Sequence, residues 1–220
     1  MMLEYMQSSD RKKLIEAIVF FSQNTKWCGS IKLFKLLFFL DMLHFRETGR
    51  SVTGLQYTAW PMSPVPISLF EELREPKSDF AEKIEVQHPP KDNTEKESSL
   101  TIITSKGKWE DRYLTVREKR IALELAEIFS NATAKEMSEV SHAKGGPWER
   151  AKDKSPGTWK GVIDYLDSLS PTLKMGSGKA KSRTQLAQRY AEFESDRNFF
   201  LPCFTICFTI RGRCSENPNN

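Results

Sequence analysis

Three ionisable side chains that could do acid–base or metal chemistry lie one helical turn apart in the sequence. Asp41, His44 and Glu47 follow an apolar segment, and this spacing can place all three on one face of a helix. A carboxylate–imidazole–carboxylate set could hold a metal ion or transfer a proton. A histidine near the C-terminal end of a helix is also favourable for dipole reasons alone, so a structural role stays open.

Other residue types that carry catalysis are sparse. His88 falls in a polar stretch, where we expect it to be solvated, and His142 precedes a Gly-Gly-Pro-Trp turn, where we expect a hydrogen bond to backbone at a helix end. The four cysteines are Cys28, Cys203, Cys207 and Cys214. They form no C-x-x-C pair, which favours reduced thiols over a zinc site. Nucleotide-binding, zinc-protease and nucleophile-elbow motifs are also lacking, so we predict no catalytic, cofactor or metal site and no enzyme.

The net charge of +4 is concentrated at one end of the chain. Residues 174–220 hold eight Lys or Arg against four Asp or Glu, whereas the residues before them hold 25 of each. A basic tail can attract nucleic acid or an acidic partner, but eight dispersed charges are too few for a nucleic-acid-binding domain. No apolar run reaches the length of a membrane span, and the first residues lack the apolar stretch of a signal peptide. We therefore expect a soluble cytoplasmic protein.

The longest apolar pattern predicts a buried helix between Ser30 and Gly49. Before it, residues 10–22 carry apolar side chains at helical spacing, which predicts an amphipathic helix. Apolar residues occupy almost every face of SIKLFKLLFFLDMLHF, so we expect this helix at the centre of the fold. Ser30 is its predicted N-cap and Gly49 its predicted stop.

Two capping boxes predict helix starts in the second half of the chain. Thr115 with Glu118, and Thr133 with Glu136, each pair a hydroxyl with a carboxylate three residues later. A further amphipathic helix is predicted after Trp148. Its inward side chains would be Trp159, Val162, Ile163, Leu166 and Leu169.

A strand is predicted over residues 54–60, where apolar and polar side chains alternate. Three prolines follow within six residues, and each removes a backbone donor, so we predict that they end the strand and form a rigid corner. These are Pro61, Pro64 and Pro66. Short strands are also predicted at residues 84–87 and 100–104. The pattern predicts a mainly helical α+β domain with a small antiparallel sheet or hairpin.

Three segments, taken in order, resemble the pattern of a known family. The first is the lysine-containing apolar helix that ends in D-x-x-H and a glycine; the second is T-G-L-x-Y-x-A-W-x-x-x-P-V-P; the third is Ser-His followed by Trp. Their structural motif residues are Asp41, His44, Gly49, Tyr57, Pro64 and Pro66. This order resembles the Panacea, or SocA-like, antitoxin domain family of bacteria and phages, and the resemblance covers about residues 10–170.

The resemblance implies a non-enzymatic antitoxin that neutralises a toxin encoded beside it by direct protein–protein contact. At least one branch of the family instead acts as an adaptor that delivers the toxin to a cellular protease, so that alternative stays open. Two positions depart from the family pattern. Ser63 stands where the family has a glycine before Pro-Val-Pro, and Ala143 follows Ser-His where an acidic residue is common. Both changes bear on a surface used for binding.

A neutralising surface needs aromatic anchors and a polar rim rather than a catalytic triad. The expected contact residues are Trp60, Met62, Ser63, His142 and Trp148, whereas Tyr57 and Trp159 are expected in the core. We predict the antitoxin-like domain over residues 1–173. The basic extension over residues 174–220 would help bind the toxin or close over the domain. A nucleic-acid-binding regulator is the rival hypothesis that the basic tail motivates.

Overall fold

The described part of the chain forms seven α-helices and two small antiparallel sheets. A computed structural model describes residues 2–88, 101–155, 157 and 160–169, without the side chains of residues 2–8. The helices are α1 (Met2–Asn24), α2 (Ser30–Thr48), α3 (Ile67–Glu72), α4 (Ser78–Lys83), α5 (Val116–Phe129), α6 (Ala134–Ser141) and α7 (Pro147–Asp153). The strands are β1 (Tyr57–Trp60), β2 (Ser63–Pro66), β3 (Ile84–Gln87) and β4 (Ile102–Ser105), and a 3₁₀ helix spans Tyr165–Leu169. This is the mainly helical α+β class that the sequence predicts.

Helix α2 lies at the centre of the fold, as its apolar sequence predicts. Every residue from Lys32 to His44 is buried, and α1, α5, α6 and β2 pack around the helix. Each fully buried Leu or Phe contributes about 1.5–3 kcal/mol to stability. The predicted N-cap is wrong by one residue, because Gly29 is the N-cap and Ser30 is already helical. Gly49 ends the helix as predicted: its φ is 72°, and its N–H donates to the Phe45 carbonyl at 2.7 Å.

Both capping boxes are present. The Thr115 N–H donates to the Glu118 carboxylate at 2.6 Å, and the Glu118 N–H donates to the Thr115 hydroxyl at 3.4 Å. The same reciprocal pair joins Thr133 and Glu136, at 2.8 and 3.3 Å. The predicted starts of α5 and α6 are therefore confirmed, since each pair satisfies two amides that the helix itself leaves free.

The strand predicted over residues 54–60 ends at Trp60, as the prolines predict, and Pro61 lies in the turn that follows. The rigid corner predicted after it is wrong, because residues Ser63–Pro66 form β2, antiparallel to β1. Pro66 faces Tyr57 and Pro64 faces Ala59 across the pair. The Tyr57 carbonyl and the Ala59 N–H point away from β2 and form hydrogen bonds with the segment at residues 161–163 on the other side of β1. The prolines therefore stand where the ladder needs no N–H from β2. Pro66 is also the N-cap of α3.

The amphipathic helix predicted to carry residues 159–169 is wrong, because α7 ends at Asp153 and Tyr165–Leu169 is a short 3₁₀ helix. Extended residues 161–163 follow and bond β1 through two backbone hydrogen bonds, of 2.8 and 2.9 Å. Gly161 suits this close approach, since a Cβ there would lie 2.1 Å from the Ala151 carbonyl oxygen. The inward face was predicted wrongly: Ile163 is buried, Val162, Leu166 and Leu169 are exposed, and Trp159 lies outside the described residues.

Strands β3 and β4 form the second hairpin, which confirms the two strands predicted on either side of the polar stretch. The Ile103 N–H donates to the Cys28 carbonyl at 3.0 Å, so this hairpin is fastened to the corner between α1 and α2. In the part of the chain that the structure describes, no helix has the length and apolar character to cross a membrane.

Candidate functional site

The three segments that carry the family resemblance meet at the turn between β1 and β2. The Lys35 ammonium, on α2, donates to the Met62 carbonyl at 2.5 Å. The Trp148 indole, on α7, donates to the Trp60 carbonyl at 3.0 Å, and the His142 ring lies against Trp148. We call these five residues the turn cluster. Residues far apart in sequence thus bind two peptide groups of one turn.

Lys35 is the buried cation of the turn cluster, with no exposed surface. Burial lowers the pKa of its ammonium to about 7. Its one hydrogen bond within the described residues is to the Met62 carbonyl, and no acidic side chain of that part of the chain pairs with it. An ammonium has three donors, so Lys35 is held in the core at a cost that is offset only in part.

His142 ends α6 and stacks on Trp148, with ring centroids 3.6 Å apart and an interplanar angle of 14°. Its backbone N–H donates to the Ser138 carbonyl, but its buried Nε2 has no partner among the described residues. His142 therefore bonds backbone at the end of a helix, as predicted, through its own N–H. Burial, together with the charges of Lys35 and Lys152, lowers the pKa of the imidazole to about 4. The ring is neutral at pH 7 and acts as a flat packing surface.

The turn presents Met62 to solvent, with 60% of its surface exposed. Trp60 is half-buried against Phe70, with ring centroids 5.2 Å apart, and its buried Nε1 has no partner among the described residues. Ser63 is buried and its hydroxyl donates to the Pro64 carbonyl at 2.9 Å. Among the described residues other than glycine, positive φ occurs at Trp27 and Asp111, so a serine at position 63 needs no left-handed backbone here.

Asp41 is the centre of a second buried polar group, on the face of α2 toward β1. Its Oδ1 accepts from the Val52 and Thr53 amides at 2.8 and 2.9 Å. Its Oδ2 accepts from the hydroxyls of Thr53 and Tyr57 at 2.5 and 2.7 Å. The Tyr165 hydroxyl lies 3.5 Å from the same oxygen and donates to the Leu55 carbonyl at 2.6 Å. We call Asp41 with these partners the aspartate hub; it ties α2, β1 and the 3₁₀ helix together.

The set of Asp41, His44 and Glu47 does not assemble into one site. Asp41 is fully engaged in the hub, while the Nδ1 of His44 bonds the Arg50 carbonyl at 2.7 Å. Glu47 instead pairs with Arg120 at 3.1 Å on the surface. The three side chains share a helix but serve three different neighbours, so their spacing reflects packing of α2.

Metal-ligating side chains are likewise dispersed within residues 2–88, 101–155 and 160–169, where no three His, Cys, Asp or Glu are placed to hold an ion. Cys28 is a buried free thiol, and burial raises its pKa to about 11. The other three cysteines lie outside the described residues.

Two features of the structure were not predicted from the sequence. Lys35 is fully buried, and a lysine at a position surrounded by Leu and Phe is the signal of a buried cation. Trp27 is 69% exposed at the corner between α1 and α2, with φ 52°. A left-handed tryptophan has no local sequence signature beyond its place in a short interhelical turn.

Comparison with known proteins places this arrangement in a family. The model described as "Antitoxin SocA-like, Panacea domain" matches residues 33–149, more than half of the chain. The match contains most of α2, the β1–β2 hairpin and Trp148, which meet in the turn cluster. No curated protein and no solved structure matches significantly. The family match supports an antitoxin role in general, and the chain belongs to the SocA-like antitoxin family defined by the Panacea domain.

Proposed function

We propose that this protein is an antitoxin that neutralises a toxin encoded beside it by direct protein–protein binding. The observation that carries the proposal is the turn cluster, where residues of α2, α6 and α7 hold one exposed turn in place. Binding by contact alone needs a shaped surface with an anchor, and it needs no catalytic group.

Met62 is the proposed anchor, because its exposed thioether stands on a turn that is bonded on both sides. Lys35 holds its carbonyl, and Trp148 holds the carbonyl of Trp60. Pro64 and Pro66 restrict the strand that follows. A surface that is ordered before its partner arrives loses less conformational entropy on binding.

The other predicted contact residues have two different roles in this proposal, according to how deeply each is buried. Trp60 keeps part of its ring at the surface and contacts the toxin beside Met62. Ser63 and Trp148 are buried and hold the turn from its core side, while His142 stacks on Trp148 and supports it. Residues 1–173 constitute the antitoxin domain in this scheme, which acts in the cytoplasm.

Co-expression with the product of the neighbouring gene tests the proposal. We expect that product to be toxic alone, growth to be restored when this chain is co-expressed, and the two proteins to co-purify as a complex. A harmless neighbour, or rescue without a complex, would contradict direct neutralisation.

Two further arms separate the rival functions. Rescue that disappears in a host lacking its ATP-dependent proteases would favour the adaptor mechanism instead. A nucleic-acid-binding regulator would give a gel shift at low salt that weakens steeply as salt is added. We expect neither result.

A further inference from the structure

The extended segment at residues 161–163 adds an edge to the β1–β2 sheet. Val162 faces Thr58 of β1 in an antiparallel bridge. The segment accepts a hydrogen bond from one β1 amide at 2.8 Å and donates one to a β1 carbonyl at 2.9 Å. Since β2 pairs with the other side of β1, this segment is the outer edge of the sheet on its own side.

The outer side of this edge carries the backbone groups of Val162. In an antiparallel pair, successive residues direct their N–H and C=O groups to opposite sides of the strand. Because Gly161 and Ile163 bond β1, the N–H and C=O of Val162 point away from it. Neither group has a hydrogen-bond partner among the described residues. An unpaired edge of this kind is completed by another extended backbone.

Side chains along the edge alternate between buried and exposed positions. Gly161 and Ile163 are buried, whereas Lys160, Val162 and Asp164 are exposed. Val162 is an apolar side chain, yet 55% of its surface is exposed. The outward face of the edge therefore carries a cation, an aliphatic side chain and an anion, in that order.

This order of side chains is self-complementary. When two identical edges pair antiparallel with Val162 opposite Val162 of a second copy, each Lys160 stands opposite an Asp164. The two valines then exchange both N–H···O bonds, which satisfies the free backbone groups of both copies. A lysine on an edge normally prevents pairing, but in this register each lysine meets a carboxylate across the pair.

We propose that this edge joins two copies of the chain into a symmetric dimer, with one continuous sheet across the two-fold axis. Such an axis closes the assembly at two chains. Leu166 and Leu169 follow the edge and are 61% and 50% exposed. They lie three residues apart in a 3₁₀ helix, so they share a face and add apolar surface for the second copy to cover. This inference does not rest on toxin neutralisation, and either proposal can fail while the other stands.

Sedimentation velocity of the purified full chain, at rising protein concentration, tests the dimer. We expect the mass of the main species to approach that of two chains. Val162→Pro should leave a monomer, because proline removes the outward N–H while the bonds of Gly161 and Ile163 to β1 remain. Val162→Thr keeps the N–H and a β-branched side chain, so this matched control should dimerise as wild type does. Urea denaturation should show that both variants are folded.

Exchanging the two charges tests the register of the pair. Lys160→Asp places carboxylates opposite each other at both ends of the pair, and should raise the dissociation constant of the dimer at least about tenfold. Lys108→Asp, at an exposed site outside this edge, should leave it unchanged.

Adding Asp164→Lys to Lys160→Asp restores opposite charges in the same register. The Oδ1 of Asp164 also accepts from the Leu166 N–H at 2.9 Å, so the double variant is compared with Lys160→Asp and not with wild type. We expect the double variant to dimerise more tightly than Lys160→Asp. Equal or weaker dimerisation would contradict the proposed register.

Three further results would overturn the inference. The first is a wild-type protein that stays a single chain at every concentration. The second is a dimer that persists in Val162→Pro, which would place the contact on another surface. The third is an edge that serves the toxin instead: a wild-type chain that is monomeric alone, and whose complex with the purified product of the neighbouring gene is lost in Val162→Pro.

Discussion

Asp41 and Lys35 are both fully buried charged residues of α2, yet their surroundings differ in kind. Asp41 accepts four hydrogen bonds of 2.5–2.9 Å from backbone and hydroxyl donors. Lys35 donates one, to the Met62 carbonyl, and lacks an acidic partner in the described part of the chain. Burial raises the pKa of the Asp41 carboxyl, but these hydrogen bonds oppose that shift, whereas burial lowers the pKa of Lys35 with no opposing partner. A buried charge with satisfied hydrogen bonds is tied to its neighbours, whereas an under-satisfied one calls for another explanation. The aspartate hub is therefore structural, and the turn cluster is the better candidate for function.

Removing the carboxylate of the hub should have the largest effect on stability. Asp41→Ala leaves the amides of Val52 and Thr53 and the hydroxyl of Tyr57 without their acceptor in the core. We expect the free energy of unfolding to fall by about 3–5 kcal/mol, measured by urea denaturation. Asp153→Ala, at an exposed site, should change it by less than about 0.5 kcal/mol. Equal effects of the two substitutions would contradict the structural role of the hub.

The turn cluster should respond to pH through Lys35. The pKa of this lysine is about 7 in the folded protein against 10.5 for the unconstrained group, so the unfolded state binds more protons between those pH values. Wild-type stability therefore rises across that window, a contribution that Lys35→Met lacks. We expect the variant to be the more stable protein at pH 7, and its advantage to shrink by about 2 kcal/mol or more by pH 10. A pH-independent difference would mean that Lys35 is not buried as a cation.

His142 should produce a smaller effect in acid. Its pKa is about 4 when folded and 6.5 when unconstrained, so the unfolded state takes up a proton first and wild-type stability falls as the pH drops from 6.5 to 4. His142→Phe preserves a flat ring on Trp148 without the titration. The variant should gain up to about 2 kcal/mol relative to wild type between pH 7 and pH 4.5, measured by denaturation at each pH, and solvent around the partly buried ring reduces this value. If the variant shows no gain in stability relative to wild type, the imidazole is exposed to solvent.

Local sequence rules predicted the helices better than the strands. The capping boxes at Thr115 and Thr133 and the stop at Gly49 were correct, because each depends on groups within a few residues. The prolines of β2 misled the prediction, since their tolerance depends on which side of the strand bonds a neighbour. The helix prediction for residues 161–163 failed for the same reason, because hydrogen bonds to β1, about a hundred residues earlier in the chain, hold this segment extended.

The residues of the candidate site could be predicted from the sequence, but the contacts between them could not. The sequence identified Trp60, Met62 and Trp148 as residues of interest, through the family resemblance and their side-chain types. It could not reveal that Lys35 holds the Met62 carbonyl, because that contact joins residues on different elements. The rejected acid–base set of α2 had the right spacing, but its side chains met different partners.

Met62 separates function from stability most cleanly, since its exposed side chain adds little to the core. Met62→Ala should change the free energy of unfolding by less than about 0.5 kcal/mol. Leu123→Ala is the matched control, because Leu123 is an apolar side chain of similar exposure, 54% against 60%, on α5. Urea denaturation should not distinguish either variant from wild type, and a large loss for Met62→Ala would reassign this residue to the core.

The affinity of these two variants for the purified toxin tests the central claim most directly. If the turn cluster is the neutralising surface, Met62→Ala should raise the dissociation constant at least about tenfold, which is 1.4 kcal/mol of binding energy. Leu123→Ala should bind as wild type does, and both variants should remain folded. Wild-type affinity for Met62→Ala would contradict the claim and place toxin binding on another face of the domain.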